Sequence, residues 1–388
     1  ACGFGGLPLS GMIADTAAAV NPLAAGAPHV PPRARRIIFV FLAGGPSQGD
    51  LFAPKAYITS KHGQAIESPV GDDGQLRVGV AQFLPMAPVK PVRPRGQSGM
   101  MMSDLLPNLS GVADELCLLR AMVADNKAHA PAALQFHTGH IVEARPSMGA
   151  WLSYGLGTEN QNMPGFITIH PPGDGRTYGA GFLPASQQGT TIRPGTSSPI
   201  ADLFAYENGY ISDRSNAAAM RLLKKFNRRH QVERSGDSRL EARIRSYEMA
   251  AQMQLSAPEA LDLSREPAHI LKLYGLDHGR SSFEPQINET EETDYFGRKC
   301  LVARRMLERG VRFVQIWSGC DNRHPRRNWD SHEDVRRDHG PLALGMSRGT
   351  AALIEDLKQR GMLDDTLILW TTEFGRMPCS QGSKGRDH

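Results

Sequence analysis

No run of about 18 apolar residues occurs in the chain, so nothing in it reads as a membrane-spanning helix. Cysteine is scarce: there are five in 388 residues, with no CxxC pair and no metal-ligand spacing. Cys2 lies in an unusual N-terminal stretch. Cys117 and Cys300 fall in apolar patterns and are expected in the core. Cys320 and Cys379 could pair in an oxidising compartment, a point the sequence leaves open. Charge of one sign is also missing. Forty-four basic and 40 acidic residues leave a net +4, which argues for no particular partner. The basic cluster Lys224 to Arg229 reads as a solvated helix face and not as a nucleic-acid patch. No repeat or low-complexity segment is visible. Hydroxyl and thiol nucleophiles beside a matched base are too few for a catalytic triad.

What is present is an ordinary globular composition, 40% hydrophobic and 22% charged, long enough for one large or two medium domains. Arg36 to Leu42 is a continuous apolar run that predicts a strand buried on both faces, hence a parallel sheet. It ends in Gly44-Gly45 and then Asp50, without the spacing of a P-loop or a dinucleotide fingerprint. Residues 53–100 read as loop, Ser103 to Leu116 as a helix and Cys117 to Met122 as a short strand. Pro131 suits the first turn of a helix closed by Gly139, which places His129 at its N-terminus, where free N–H groups favour an anion or a metal-bound anion. Arg145-Pro146-Ser147 opens the next helix, with Arg145 as a possible oxyanion clamp.

Phe166 to His170 is a plausible strand, and residues 171–200 read as loop. Ser238 to Glu241 forms a capping box ahead of an apolar stripe at Leu240, Ile244, Tyr247 and Ala251. A second stripe, Phe296 to Leu307, stops at Gly310 and is followed by a strand, Arg312 to Trp317, giving half of a right-handed crossover. A polar loop after that strand carries Asp330 and His332. A helix ended by Gly361 leads to the apolar run Thr366 to Trp370, expected as a buried strand, with Glu373 just beyond it and Asp387-His388 at the end. Asp50, His129, Asp330, His332, Glu373, Asp387 and His388 thus mostly follow strands or open helices, and the carboxyl edge of a parallel sheet is where ligands bind. Carboxylates mixed with imidazoles suit zinc, manganese or iron. Such a set matches a one- or two-metal hydrolase, with Arg145, Arg376 and Arg386 available for an oxyanion.

Many stretches carry a family resemblance. Among them are Phe39 to Phe52, Ser103 to Pro107, His129 to Ala132, Thr138-Gly139, Arg145 to Gly157, Ala303 to Phe313, Glu373 to Arg376 and Gly385 to His388. With these, nearly everything from residue 36 onward resembles an exported family, domain of unknown function 1501, within the alkaline phosphatase and sulfatase superfamily. The resemblance implies an α/β fold with an alkaline-phosphatase-like core, a mostly parallel sheet sandwiched between helices. It implies a metal-dependent hydrolase of phosphate or sulfate esters, its substrate a small-molecule or polysaccharide ester, with export by the twin-arginine route to the periplasm or beyond. The small, apolar stretch Ala1 to Ala14 reads as the tail of a signal-peptide core and Val30-Pro31-Pro32 as a spacer, so residues 1–35 are expected to be the remnant of an export signal and spacer, a plain flexible N-terminus being the alternative. Residues 36–388 become one domain lacking its C-terminal part. His129 stands where sulfatase-like enzymes carry a nucleophile, and Glu373-Phe374 where they carry an Asp-His pair. An exported binding protein that keeps the fold without turnover is the alternative.

Overall fold

The computed structural model describes residues 33–75, 81–160, 162–195, 199–200, 213–234, 257–278, 288–319, 328–381 and 384–388, with Leu240, Ile244 and Glu248 as single helical positions. Five strands form the main sheet: β1 (Arg36–Leu42), β2 (Phe166–Ile169), β3 (Thr190–Ile192), β4 (Phe313–Ser318) and β5 (Thr366–Thr371). Their order is β3-β2-β4-β1-β5 and every pairing is parallel. The register sets Val40 of β1 beside Ile316 of β4 and Trp370 of β5, so the three strands that carry site residues end together.

Side-chain alternation along β1 explains why helices cover both faces. Ile38, Val40 and Leu42 pack with Cys300, Met306, Leu342, Met346 and Leu353, which belong to two long helices, Glu289–Glu308 and Val335–Gln359. Phe39 and Phe41 point the other way, against Phe313, Trp317, Ala133, Phe136 and Leu152. The last three lie on two helices that we call α1 (His129–Thr138) and α2 (Met148–Leu156). This mixed α/β arrangement, a parallel sheet between helices, is the architecture expected. Gly139 closes α1 at φ +77° and Ser147 caps α2 by accepting from the Ala150 N–H, both as the sequence indicates. No helix among the described residues is long and apolar enough to cross a membrane.

Several elements differ from expectation. The apolar run of β5 is not fully buried: β5 is the outer strand of the sheet, and Leu367 is 49% exposed. Cys117 to Met122 forms no strand; Cys117 and Leu119 are exposed, whereas Cys300 is buried. Ser103 to Leu116 is not one helix. Met100–Ser103 pairs with Val92–Arg95 as an antiparallel ribbon, and only Leu109–Glu115 coils, as a 3-10 helix, after Pro107 interrupts the chain. The loop at 171–200 contains β3, whose three residues are too short to show a period. Lys224, Lys225, Arg228 and Arg229 are exposed on a helix, Asp213–Glu233, as a solvated face should be. Most of the Ser238 capping box and its stripe, and Cys320, lie outside the described residues; Cys379 is a buried free thiol.

The packing of α1 against the sheet buries His137 completely. Its ring stacks on Trp317 at 4.7 Å and 9°, and Nδ1 donates to Ala133 O at 2.7 Å, leaving a neutral imidazole. Burial pushes its pKa down to about 4, with the Ala133 carbonyl and the Asp174 charge opposing weakly. The unfolded chain therefore binds this proton at a higher pH than the folded one. The stability tied to His137 is complete above about 6.5 and lost progressively as pH falls toward 4, a loss on the order of 3 kcal/mol. Denaturant midpoints measured at pH 7 and pH 4.5 should fall steeply in the native protein and less in His137→Phe, which keeps an aromatic ring on Trp317. An equal fall in both would remove His137 as the cause.

Candidate metal centre

Strand β1 delivers Ala43-Gly44-Gly45 to the carboxyl edge. Gly44 (φ +111°) and Gly45 (φ +66°) take conformations that favour glycine. A Cβ on Gly44 would stand 2.5 Å from the backbone nitrogen of Asp330, and one on Gly45 would stand 2.9 Å from the Phe374 ring. These two glycines let the segment after β4 and the segment after β5 close on the end of β1. In the order β3-β2-β4-β1-β5 the chain leaves β1 toward β2 on one side and leaves β4 toward β5 on the other, so the carboxyl ends of the adjacent β4 and β1 form a crevice at the same place.

Glu373 arrives from β5 and is buried. Its Oε1 accepts from the Gly44 N–H at 2.7 Å and from His129 Nδ1 at 2.6 Å, and the Thr372 hydroxyl lies 2.8 Å from Oε2. Helix α1 presents His129 in its first turn, as expected. With Nδ1–H spent on Glu373, the other ring nitrogen faces inward. Nε2 is buried, 3.2 Å from Asp330 Oδ1 but off hydrogen-bond geometry, and has no hydrogen-bond partner. Burial disfavours the imidazolium, but the Asp330 and Glu373 carboxylates outweigh it and raise the His129 pKa to about 9. Burial likewise opposes ionisation of Asp330, yet the positive charge of His129 beside it and the Arg376 guanidinium that bonds it hold its carboxyl well below the usual range.

Asp330 Oδ1 also lies 2.7 Å from His332 Nε2. His388 closes the ring of groups, edge-on to His129 at 4.9 Å and to His332 at 5.2 Å. Burial first, then the positive charges of His129 and Arg376, lower its pKa. Two sets of ligand atoms result, each within 4.8 Å of one another: His129, Asp330 and His388, and His332, Asp387 and His388. Their chemistry, imidazole nitrogen with carboxylate oxygen and an orphaned buried Nε2, fits a borderline transition metal. A carboxylate behind a ligating histidine is also the usual arrangement of such sites.

Three expected site residues stand elsewhere. Glu373 is one step removed: its oxygens are spent on Gly44, Thr372 and His129, and it belongs to neither ligand set. Asp50 is fully buried in an ion pair with Arg386, 2.6 Å from its Nε, and accepts from the Val89 N–H at 2.8 Å. Arg145 is half-exposed and pairs with Glu143. Nor do Arg376 and Arg386 offer free forks to an oxyanion. Arg376 donates to Gly44 O at 2.5 Å, Gly45 O at 2.8 Å and Arg386 O at 3.0 Å, contacts His332 Nε2 at 3.3 Å and bonds Asp330. One guanidinium thus ties the end of β1 to the segment after β4 and to the chain end, the last two of which carry candidate ligands. Two further histidines lie close by in the chain: His137 is core, and His140 accepts from the Val142 and Glu143 N–H groups.

Sequence reasoning missed Gln48, whose side chain bonds both the N–H and the carbonyl of Arg376, at 2.6 Å and 2.9 Å. Gly375 was the available signal, because a Cβ there would collide with Gln48. Gly385 is constrained in the same way by the His332 carbonyl.

No curated protein and no solved structure matches the chain. A family model, described as a protein of unknown function (DUF1501), matches residues 34–388 and so takes in every element of the sheet and every residue of this cluster. The chain belongs to the DUF1501 family.

Proposed function

We propose that the cluster is a centre for one or two divalent ions of zinc, manganese or iron, and that the protein is an exported, alkaline-phosphatase-like hydrolase of phosphate or sulfate esters. The observation that supports this most is the convergence of His129, Asp330, His332, Asp387 and His388 from α1, the segment after β4 and the chain end onto one point of the sheet edge. His129 Nε2, Asp330 and His388 would hold one ion, and His332, Asp387 and His388 a second. A metal bound there supplies Lewis-acid polarisation of an ester oxygen. The protein's own groups do the rest. Glu373 accepts the Nδ1 proton of His129 and so fixes which nitrogen faces the ligand, and Arg376 anchors Asp330. On the sulfatase-like resemblance His129, the first residue of α1, takes the place of a hydroxyl or thiol nucleophile, which supports attack by water over attack by a side chain.

That same position favours a second reading, a binding protein that holds an ester or anion without turnover. The test uses 4-nitrophenyl phosphate and 4-nitrophenyl sulfate with metal-stripped and metal-reconstituted protein. Hydrolysis that needs added metal and disappears in Asp330→Ala is the expected result. Full hydrolysis by metal-stripped protein would overturn the metal reading, and metal-dependent binding of either ester without release of nitrophenol would favour the second.

A further inference from the structure

Arg145 lines a cavity of about 290 Å³ that is separate from the metal cluster. Arg176 and Gln188 line it too, beside backbone supplied by Gly175, Gly179 and Gly181. The turn Gly175–Thr177 packs on α1, whose first residue is His129. Ten residues of helix run about 13 Å from end to end, so α1 links the cluster to this second hollow. The wall is held tightly: Ser147 N–H donates to Gly179 O at 3.1 Å, and Gly181 (φ +54°) presses so close that a Cβ would stand 2.5 Å from Pro146 N.

Each lining arginine is paired with a carboxylate that is not itself part of the lining. Arg145 holds Glu143 through Nε at 2.9 Å and Nη2 at 2.7 Å. Arg176 holds Asp174 through Nε at 2.9 Å and Nη2 at 2.7 Å, and its Nη1 reaches Val142 O at 3.3 Å. Two guanidiniums and two carboxylates carry no net charge. An inorganic oxyanion would compete with Glu143 and Asp174 for the same N–H groups. A ligand rich in hydroxyls, each both donor and acceptor, can use guanidinium and carboxylate together. The remaining lining side chains are apolar, Ala144, Ala180, Leu183 and Ala185. Between Gly181 and Leu183 stands Phe182, 70% exposed, its ring edge-to-face with Trp151 at 5.7 Å and 74°. Phe182 is not itself part of the lining, but an exposed aromatic face held in place between two lining residues suits the C–H face of a sugar ring. The volume, at the low end for small-molecule sites, is that of one ring and not of a chain.

We propose that this cavity binds a neutral pyranose unit of an oligosaccharide, as a carbohydrate site that works without the metal cluster. Isothermal titration of the whole protein with cellohexaose, xylohexaose, mannohexaose and chitohexaose tests it. Saturable binding of at least one, equal in native and metal-stripped protein, is expected. Arg145→Ala combined with Arg176→Ala should weaken it by roughly tenfold or more, and Phe182→Ala by several-fold, with the circular dichroism spectrum unchanged because the two arginines are half-exposed and Phe182 is exposed. No binding by any of the four sugars would overturn the proposal, as would binding that survives both the double variant and Phe182→Ala. Inorganic sulfate that binds native protein and not the double variant would make the cavity an anion site and overturn it equally. None of these readouts depends on ester hydrolysis, so failure here and failure of the hydrolase reading are distinguishable.

Discussion

Replacing Glu373 with glutamine is expected to lower the affinity proposed for the cluster toward a divalent metal by roughly 10- to 100-fold and to leave the fold in place. The substitution keeps an oxygen that can accept from Gly44 N–H and His129 Nδ1–H, and its amide can face the Thr372 hydroxyl, so no buried group is stranded. What disappears is the negative charge behind His129, which orients the ring and strengthens Nε2 as a donor to a metal. Replacing Asp330 with alanine removes an oxygen that His129, His332 and Arg376 all approach, and is expected to reduce metal to background. Elemental mass spectrometry on dialysed protein, followed by titration with zinc and manganese, ranks the variants. The expected order is native, then Glu373→Gln, then Asp330→Ala. A Glu373→Gln protein as empty as Asp330→Ala would make Glu373 a direct ligand, as the sequence suggests. One with native affinity would remove the link through His129.

The sequence carries the parts of this site that depend on local chemistry. His129 is legible because Pro131 and Gly139 mark the two ends of its helix, and Asp330, His332 and Glu373 because each follows a recognisable strand. Long-range pairing is not legible. Asp50 and Glu373 both look like carboxylates at strand ends, and nothing local says that one meets a guanidinium 336 residues away while the other meets an imidazole. Arginines read as anion clamps for a similar reason: Arg376 spends its donors on backbone carbonyls brought together only by the tertiary fold. The strand pattern of β5 shows its residue types and not its place at the edge of the sheet, since an apolar run of five looks alike in a central and an outer strand. Expecting a strand at Cys117 to Met122 fails on the same ground, because apolar composition alone does not supply a pairing partner.

Asp50→Ala is expected to destabilise the protein by about 3–5 kcal/mol, because it leaves the Arg386 guanidinium buried without a counter-charge. Arg386 is 2% exposed. Besides Asp50, its side chain bonds the carbonyls of Met86 at 3.0 Å and Ala87 at 3.2 Å, and its backbone N–H donates to Ser331 O at 3.0 Å. Those bonds cannot neutralise a cation, so the single variant strands the charge. Removing both charges is different. Asp50→Val with Arg386→Met replaces the pair by apolar groups and should recover most of the lost stability. The pair also fixes the segment that bears Asp387 and His388 against Ser331, so Asp50→Ala should weaken metal binding in proportion to the disorder it causes at the chain end. Urea midpoints and metal stoichiometry on the same three proteins separate the two roles open to Asp50. A large loss of midpoint, repaired in the double variant, is the signature of a buried tie. Loss of metal at an unchanged midpoint would return Asp50 to the ligand set.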